Sequence, residues 1–230
     1  MSKLPYRIEN VGGHQPIAAE TASHECCLVV KGYVSARSAG STQSMQIPSI
    51  HVPGDVPDLG KIYDSELELE MAALGAVVVA FVPVRGLREL ADYSSNIRAG
   101  LSLLLLADSY MLRNALSNVG SRNALARVAH LLCELYARLH AVGLARTEEI
   151  PCPFTQADLG EMCGLSAVHI NRTVQQLRER GLVEWHSRVI RLIDRAELAR
   201  LAGFSPAYLR VPGDRTSRRL HYGHSLAAAE

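Results

Sequence analysis

The chain of 230 residues lacks any apolar run long enough to cross a bilayer. Its longest such stretches, 76–82 and 103–107, fall far short of the ~20 residues a spanning helix needs. The first residues, Met1 to Arg7, lack the apolar core of an export signal, so a cytoplasmic location without a membrane partner is expected. Charge of one sign is also lacking. Lys and Arg total 24 against 23 Asp and Glu, a net charge of +1. No global field therefore draws the protein to a polyanion, and attraction to nucleic acid must come from a local patch. The five cysteines, Cys26, Cys27, Cys133, Cys152 and Cys163, are odd in number and show no Cys-x-x-Cys spacing. That pattern argues against a disulfide framework or a structural zinc site. Small buried apolar side chains are the expected role. Catalytic groupings are missing too: no Ser/His/Asp or Cys/His/Asp constellation, no glycine-rich phosphate loop, no metal-spaced ligands. His14, His24, His51, His130, His140 and His186 are scattered. An enzyme is not expected, and no cofactor is evident.

What is present is a change of periodicity along the chain. Up to about residue 90 the pattern reads as β-rich. Two β-branched segments within 26–37 are split by Lys31 and Gly32, and further short strands are expected at 45–52, 67–71 and 76–82, with Pro48, Pro53 and Pro57 as breaks. Short strands with turn signals suggest a small barrel or jelly roll. Helical spacing takes over across 87–118. One apolar stripe runs through Ile97, Leu101, Leu104, Met111 and Ala115, with Asp108 as its polar exception. A second runs through Leu105, Leu112, Leu116 and Val119. Two stripes require two packing partners, the helix's own β domain and the same helix of a second copy. Residues 118–121 read as a hinge, with Ser121 the expected cap of an amphipathic helix ending at Gly143. Residues 145–153 read as a connecting loop. A short helix is expected over 194–201, and 210–230 as a weakly ordered tail.

The most informative segment is 154–192. Thr155 and Asp158 form a capping box, with Phe154 and Leu159 as a hydrophobic staple. Gly164 supplies a tight turn, Ser166 caps a second helix, and Leu165 with Ile170 staples it. On that helix Ile170, Val174 and Leu177 share the face suited to packing. Val168, Asn171, Arg172 and Gln175 share the opposite face, with Ala167 and His169 at its rim. Asn and Gln can pair bidentately with adenine and Arg with guanine, while Ala and Val can touch a thymine methyl. His169 stands at the third helical position, where a capping glutamate would otherwise be held, and is expected to face the groove. Arg178, Arg180, Arg188 and the helix N-terminus can hold phosphates. Residues 181–192 read as a β-hairpin wing. The candidate DNA-binding set is Ser166, Ala167, Val168, His169, Asn171, Arg172, Gln175, Arg178 and Arg188.

In this order the parts resemble the CRP/FNR family of bacterial transcription regulators. The resemblance is strongest from Asn118 to Leu192, above all in 165–173 and 177–183, and looser in 28–32 and 51–55. It implies an α+β fold: a cyclic-nucleotide-binding-like β-roll sensor over 1–94, a dimerisation helix and hinge over 95–120, a winged helix-turn-helix over 121–195, and a short helix and tail over 196–230. It further implies a homodimer on palindromic double-stranded DNA, controlled by a small-molecule effector of unknown identity and partnered by RNA polymerase. Cyclic-nucleotide sensors of the family follow Gly-Glu-Leu with an Arg-Ser-Ala whose arginine pairs with the phosphate. Here Gly54, Asp55 and Val56 are followed by acidic residues and only Lys61 as a cation, so cAMP is not the expected signal. Cys26 and Cys27 do not supply the N-terminal cysteine group of an iron–sulfur sensor. Little room is left at the start for the N-terminal helix typical of relatives. Arg172 falls where the family keeps a base-reading arginine. Val168 replaces a preceding glutamate, so a different operator is expected. The competing reading is a ligand- or redox-sensing signalling module whose winged unit docks a protein instead of DNA.

Overall fold

The computed structural model describes residues 4–18, 24–38, 46–64, 69–145 and 147–209. The expected tail at 210–230 and the strand starts at Met45 and Leu67 lie outside them. The N-terminal body is built on two long strands, β3 (Glu25–Ser38) and β5 (Leu69–Pro83), paired antiparallel along nearly their whole length. β1 (Arg7–Val11) and β2 (Pro16–Ile17) pair with β5, and β4 (Ser49–His51) pairs with β3. Among the described residues β1 is the first element. Val34, Ala36, Ala73, Val77, Val79 and Phe81 fill the inner face.

Two expected breaks are corrected. Lys31 and Gly32 do not divide β3; the register shifts at Val29/Lys31 and Lys31/Tyr33, so irregularities take up the extra chain while the ladder continues. The segments expected at 67–71 and 76–82 are one strand from Leu69 on, because pairing with β3 carries the chain through Gly75. The strand expected at 45–52 shortens to β4.

The helical stretch also divides differently. α1 (Val84–Tyr93) follows β5 directly, and Ser94, extended at ψ 116°, separates it from α2 (Ser95–Ser121) while its side chain accepts the Ile97 amide. On α2, Leu101 and Leu105 pack together on Cys26, Leu59, Ile62 and Val84 of the β body. Leu104, expected with Leu101, is exposed instead, along with Leu112 and Leu116. Asp108, Met111, Ala115 and Asn118 continue the inner side, at steps of three and four along the helix.

The hinge is shorter than expected. Ser121 does not cap the next helix: its hydroxyl donates back to the Ser117 carbonyl at 2.6 Å and stays in α2. Asn123 takes the cap of α3 (Ala124–Ala141) by accepting the Ala126 amide at 3.0 Å. Only Arg122 and Asn123, both extended, separate the two helices. Val142 is the exposed C-cap of α3.

The C-terminal unit continues with α4 (Gln156–Cys163), α5 (Ala167–Glu179), the hairpin β7 (Val183–His186) and β8 (Val189–Leu192), and α6 (Arg195–Ala202). The loop expected at 145–153 contains β6 (Glu149–Pro151), which pairs with β8 and makes the wing three-stranded.

The two halves share a core. Tyr33, Ile50, Val52 and Leu74 of the β body belong to the same buried cluster as Leu132, Leu135, Phe154 and Ile170. Tyr33 carries much of this contact. Its hydroxyl donates to the Pro151 carbonyl at 2.6 Å, and its ring meets Phe154 edge-on at 4.7 Å. Arg138 of α3 reaches Asp55 of the loop after β4, with Nη2 and Oδ2 2.5 Å apart.

Candidate nucleic-acid interface

Local chemistry builds the helix-turn-helix much as its sequence pattern requires. The Asp158 amide donates to Thr155 Oγ1 at 3.1 Å, and the Thr155 amide donates to Asp158 Oδ2 at 2.6 Å. This closes the capping box of α4. Gly164, with φ 59°, ends α4 in the left-handed region that glycine enters without a Cβ penalty. Gly160 has a different reason to lack a side chain: a Cβ there would sit 2.5 Å from the Leu165 carbonyl oxygen. That close approach lets the turn fold back on α4. Ser166 then caps α5 by accepting the His169 amide at 3.3 Å.

The two faces of α5 differ as its pattern demands. Ile170, Val174 and Leu177 are buried. Thr173 joins them, a residue the pattern did not single out; its hydroxyl donates to the His169 carbonyl at 2.7 Å and so needs no other partner. All nine candidate residues are exposed: Ser166, Ala167, Val168, His169, Asn171, Arg172, Gln175 and Arg178 on α5 and its cap, and Arg188 at the wing tip. Val168 is 81% exposed, an unusual placement for a valine on a helix of a folded domain. Two side chains are partly engaged within the protein. His169 Nδ1 lies 3.5 Å from Ser166 Oγ, so this imidazole is not wholly free as expected. Gln175 donates to Glu179 at 3.3 Å along the helix.

At the wing, Ser187 adopts φ 54° to close the two-residue loop between β7 and β8. The Arg188 carbonyl accepts the Cys152 amide at 2.7 Å, which fixes the loop backbone while the guanidinium stays in solvent. Arg180, at the C-cap of α5, is exposed as well. The basic side chains Arg172, Arg178, Arg180 and Arg188 thus give a nearly neutral chain a local cationic surface around α5.

Sequence reasoning missed the groups behind this face. Arg127, on the first turn of α3, donates from Nη1 to the Cys163 and Gly164 carbonyls at 2.8 and 3.4 Å, and from Nη2 to the Arg122 carbonyl at 3.0 Å. Arg122 donates from Nε to the Ala202 carbonyl at 2.8 Å. The sequence pattern singled out neither of them. The five cysteines are free and buried, and burial pushes each thiol up to about 12, so none is a ready thiolate.

Among the described residues no helix is long and apolar enough to cross a membrane, and no group of three or more His, Cys, Asp or Glu could hold a metal ion. Residues 126–201 match the family model of the Crp-like helix-turn-helix domain. Electron transport regulator A of Shewanella oneidensis is 26% identical over 69% of this chain and 63% of its own length. The transcriptional activator protein FnrA of Stutzerimonas stutzeri is 23% identical over 69% of this chain and 64% of its own. The chain therefore spans somewhat under two thirds of these relatives. Among solved structures, FixK2 from Bradyrhizobium japonicum superimposes with a TM-score of 0.74 at 23% identity, covering 88% of this chain and 100% of that one. TTHB099, a CRP-family regulator from Thermus thermophilus, does so with a TM-score of 0.66 at 14% identity, over 86% and 97%. Residues 126–201 thus match the Crp-like helix-turn-helix domain, and the whole chain, a β-roll followed by a long helix and a winged helix-turn-helix, is similar in fold to regulators of the CRP/FNR family.

Proposed function

We propose that the protein is a sequence-specific DNA-binding transcription regulator that acts as a homodimer on a palindromic operator. The observation that carries this reading is the α5 surface. A helix packed through Ile170, Val174 and Leu177 leaves Asn171, Arg172 and Gln175, all base-reading side-chain types, pointing to solvent beside exposed arginines. In this reading the nine candidate residues divide their work. Val168, Ala167, Asn171, Arg172 and Gln175 read base edges, with Ser166 and His169 at the helix entrance, and Arg178 and Arg188 hold backbone phosphates. The relatives named as regulators support it.

The exposed leucines of α2 support the dimer. Leu104, Leu112 and Leu116, the last 76% exposed, are left uncovered on a helix whose other side packs on the β body. A second copy covers them, and the pair of α5 helices then stands about 34 Å apart, one turn of DNA. The division into sensor, dimerisation helix and DNA-binding unit at 1–94, 95–120, 121–195 and 196–230 follows from this assignment, as does work in the cytoplasm beside RNA polymerase. The signal enters through the β body. Between the loop after β4 and α2 lies a cavity of about 40 Å³ whose lining includes His51, Asp55, Leu59, Leu105 and Asp108.

Selection of bound duplexes from a random DNA pool tests the reading. An enriched site with two-fold symmetry is expected, and Arg172→Ala should cost ~1–3 kcal/mol at one base position. Affinity for random duplex should fall steeply with salt, as phosphate contacts demand. A chain that enriches no sequence and ignores duplexes at low salt would refute the proposal and favour a protein partner.

A further inference from the structure

The junction between α2 and the DNA-reading unit is tied down by side chains. Arg127 lies on α3, yet its guanidinium serves two other helices. Nη1 takes the carbonyls of Cys163 and Gly164, which close α4, and Nη2 takes the Arg122 carbonyl at the end of α2. The last carbonyls of a helix have no partner within it and carry the negative end of its dipole, so a cation that donates there satisfies both needs. Asn118, 6% exposed on α2, donates from Nδ2 to the Arg127 carbonyl at 3.2 Å and fixes the same residue from behind. Arg122 repeats the device at α6, whose terminal carbonyls at Ala202 and Gly203 it meets at 2.8 and 3.5 Å. Space at the turn is close as well: a Cβ on Gly164 would come within 3.3 Å of Val119 on α2.

These contacts have one geometric consequence. α5 begins at Ala167, three residues beyond Gly164, so whatever holds the Cys163 and Gly164 carbonyls sets the point from which α5 leaves. Arg127 is half-buried, its Nε has no hydrogen-bond partner among the described residues, and its Nη1 and Nη2 are taken up by backbone carbonyls.

We propose that Arg127 is a positioning residue for DNA recognition: it holds the α4–α5 turn against the end of α2, so that the paired α2 helices fix the angle at which each α5 meets its half-site. The inference rests on the DNA-binding reading above. It also locates motion, since any movement that reorients α5 must carry the last turn of α2 with it instead of swivelling at Arg122 and Asn123.

The experiment uses the full chain and the duplex selected by the wild type. Dissociation constants are measured across a salt series for Arg127→Met, Arg127→Gln and Arg127→Lys, with sedimentation for oligomeric state and circular dichroism for fold. The Met and Gln variants should bind at least about tenfold more weakly, with the wild-type salt slope, because no phosphate contact is removed. They should keep the wild-type oligomeric state. Lysine offers one ammonium in place of a fork spanning three carbonyls and should fall between. Folded variants within about twofold of wild type overturn the inference. So does a salt slope reduced by about one, the mark of a lost phosphate contact. Weak binding that appears only with loss of the dimer also overturns it, since Arg127 would then serve assembly. If Met and Gln do not fold, the Lys variant decides alone, and wild-type affinity there overturns the inference. A wild type that selects no duplex removes the DNA reading itself, which separates the two failures.

Discussion

The contact between Asp55 and Arg138 joins the β body to the DNA-reading unit, and its strength can be worked from the structure. Nη2 and Oδ2 are 2.5 Å apart, with Arg138 8% exposed and the Asp55 side chain 23% exposed. At an effective dielectric near 20 such a pair gains ~4 kcal/mol, from which desolvation of both ions must be subtracted. Arg138 also faces Glu134, with Nη1 and Oε1 3.6 Å apart, and Glu134 in turn accepts from the Tyr208 hydroxyl. Asp108 lies close enough for both Asp55 and Arg138 to shift its titration. One cation thus serves three carboxyl groups. Removing Asp55 leaves Arg138 two acids; removing Arg138 leaves three acids, with Arg122 still acting on one of them, Glu134. Arg138→Met should therefore cost more than Asp55→Asn. The Asn variant is the right control, because its carbonyl can still accept the Val52 amide that Asp55 holds at 2.8 Å. Urea unfolding of wild type, both single variants and the double variant at pH 7 gives the coupling. Groups in one buried network couple by ~0.5–3 kcal/mol, and about 1–2 kcal/mol is expected here, with the double variant less damaged than the sum of the singles. Additivity within about 0.4 kcal/mol, or a costlier Asp55→Asn, would refute the reasoning.

Three other outcomes are expected. Burial pushes the imidazoles of His51 and His130 down to about 4, against 6.5 in the unfolded chain. The unfolded state then binds more protons across that window, so stability is present above pH 6.5 and lost as pH falls toward 4, by roughly 3 kcal/mol per histidine at ~1.36 kcal/mol per pH step; a urea midpoint flat from pH 6.5 to 4 contradicts this. Asp108 has the opposite sign: burial raises its carboxyl, and Oδ1 has no hydrogen-bond partner among the described residues. Its ionisation costs stability as pH rises above 3.8, so Asp108→Asn should be more stable than wild type at pH 7 and lose that advantage below 3.8, and a variant weaker at pH 7 sinks the argument. Leu116→Glu, at a side chain 76% exposed in the single chain, should leave the protomer's melting temperature nearly unchanged while shifting sedimentation toward the monomer; an unchanged dimer mass would place the seam elsewhere.

Legibility in the sequence followed the range of the interactions. The helix-turn-helix was readable because its instructions are local. Thr155 and Asp158 are three residues apart, as are Ser166 and His169, and the buried set Ile170, Val174 and Leu177 follows the helical period. Where two local options competed, reading alone did not decide. Ser121 and Asn123 are both good caps, and Ser121 lost because its hydroxyl found the Ser117 carbonyl first. Lys31 and Gly32 looked like a break because a strand's own pattern does not record that its neighbour, β5, is long enough to bridge an irregularity. The stripes of α2 were misassigned for a related reason. Runs of leucine from Leu103 to Leu106 satisfy several registers at once, and only the position of Leu59 and Ile62 selects Leu105 over Leu104.

What could not be read are the contacts that make the two halves one body. Tyr33 and Pro151 are 118 residues apart, and Asp55 and Arg138 are 83 apart. In sequence each of the four has a sufficient local explanation, as a strand aromatic, a loop proline, a turn acid and a solvated helix cation. A residue that satisfies its own element carries no trace of its second partner. Arg127 is the sharpest case: nothing in its own position on α3 singles it out, while its three carbonyl partners lie at the ends of two other helices. The surface meant for a groove follows from one helix period, whereas the angle at which it is held follows from contacts between helices. A reading of the sequence can therefore propose the residues that touch DNA, and the structure is required to say what aims them.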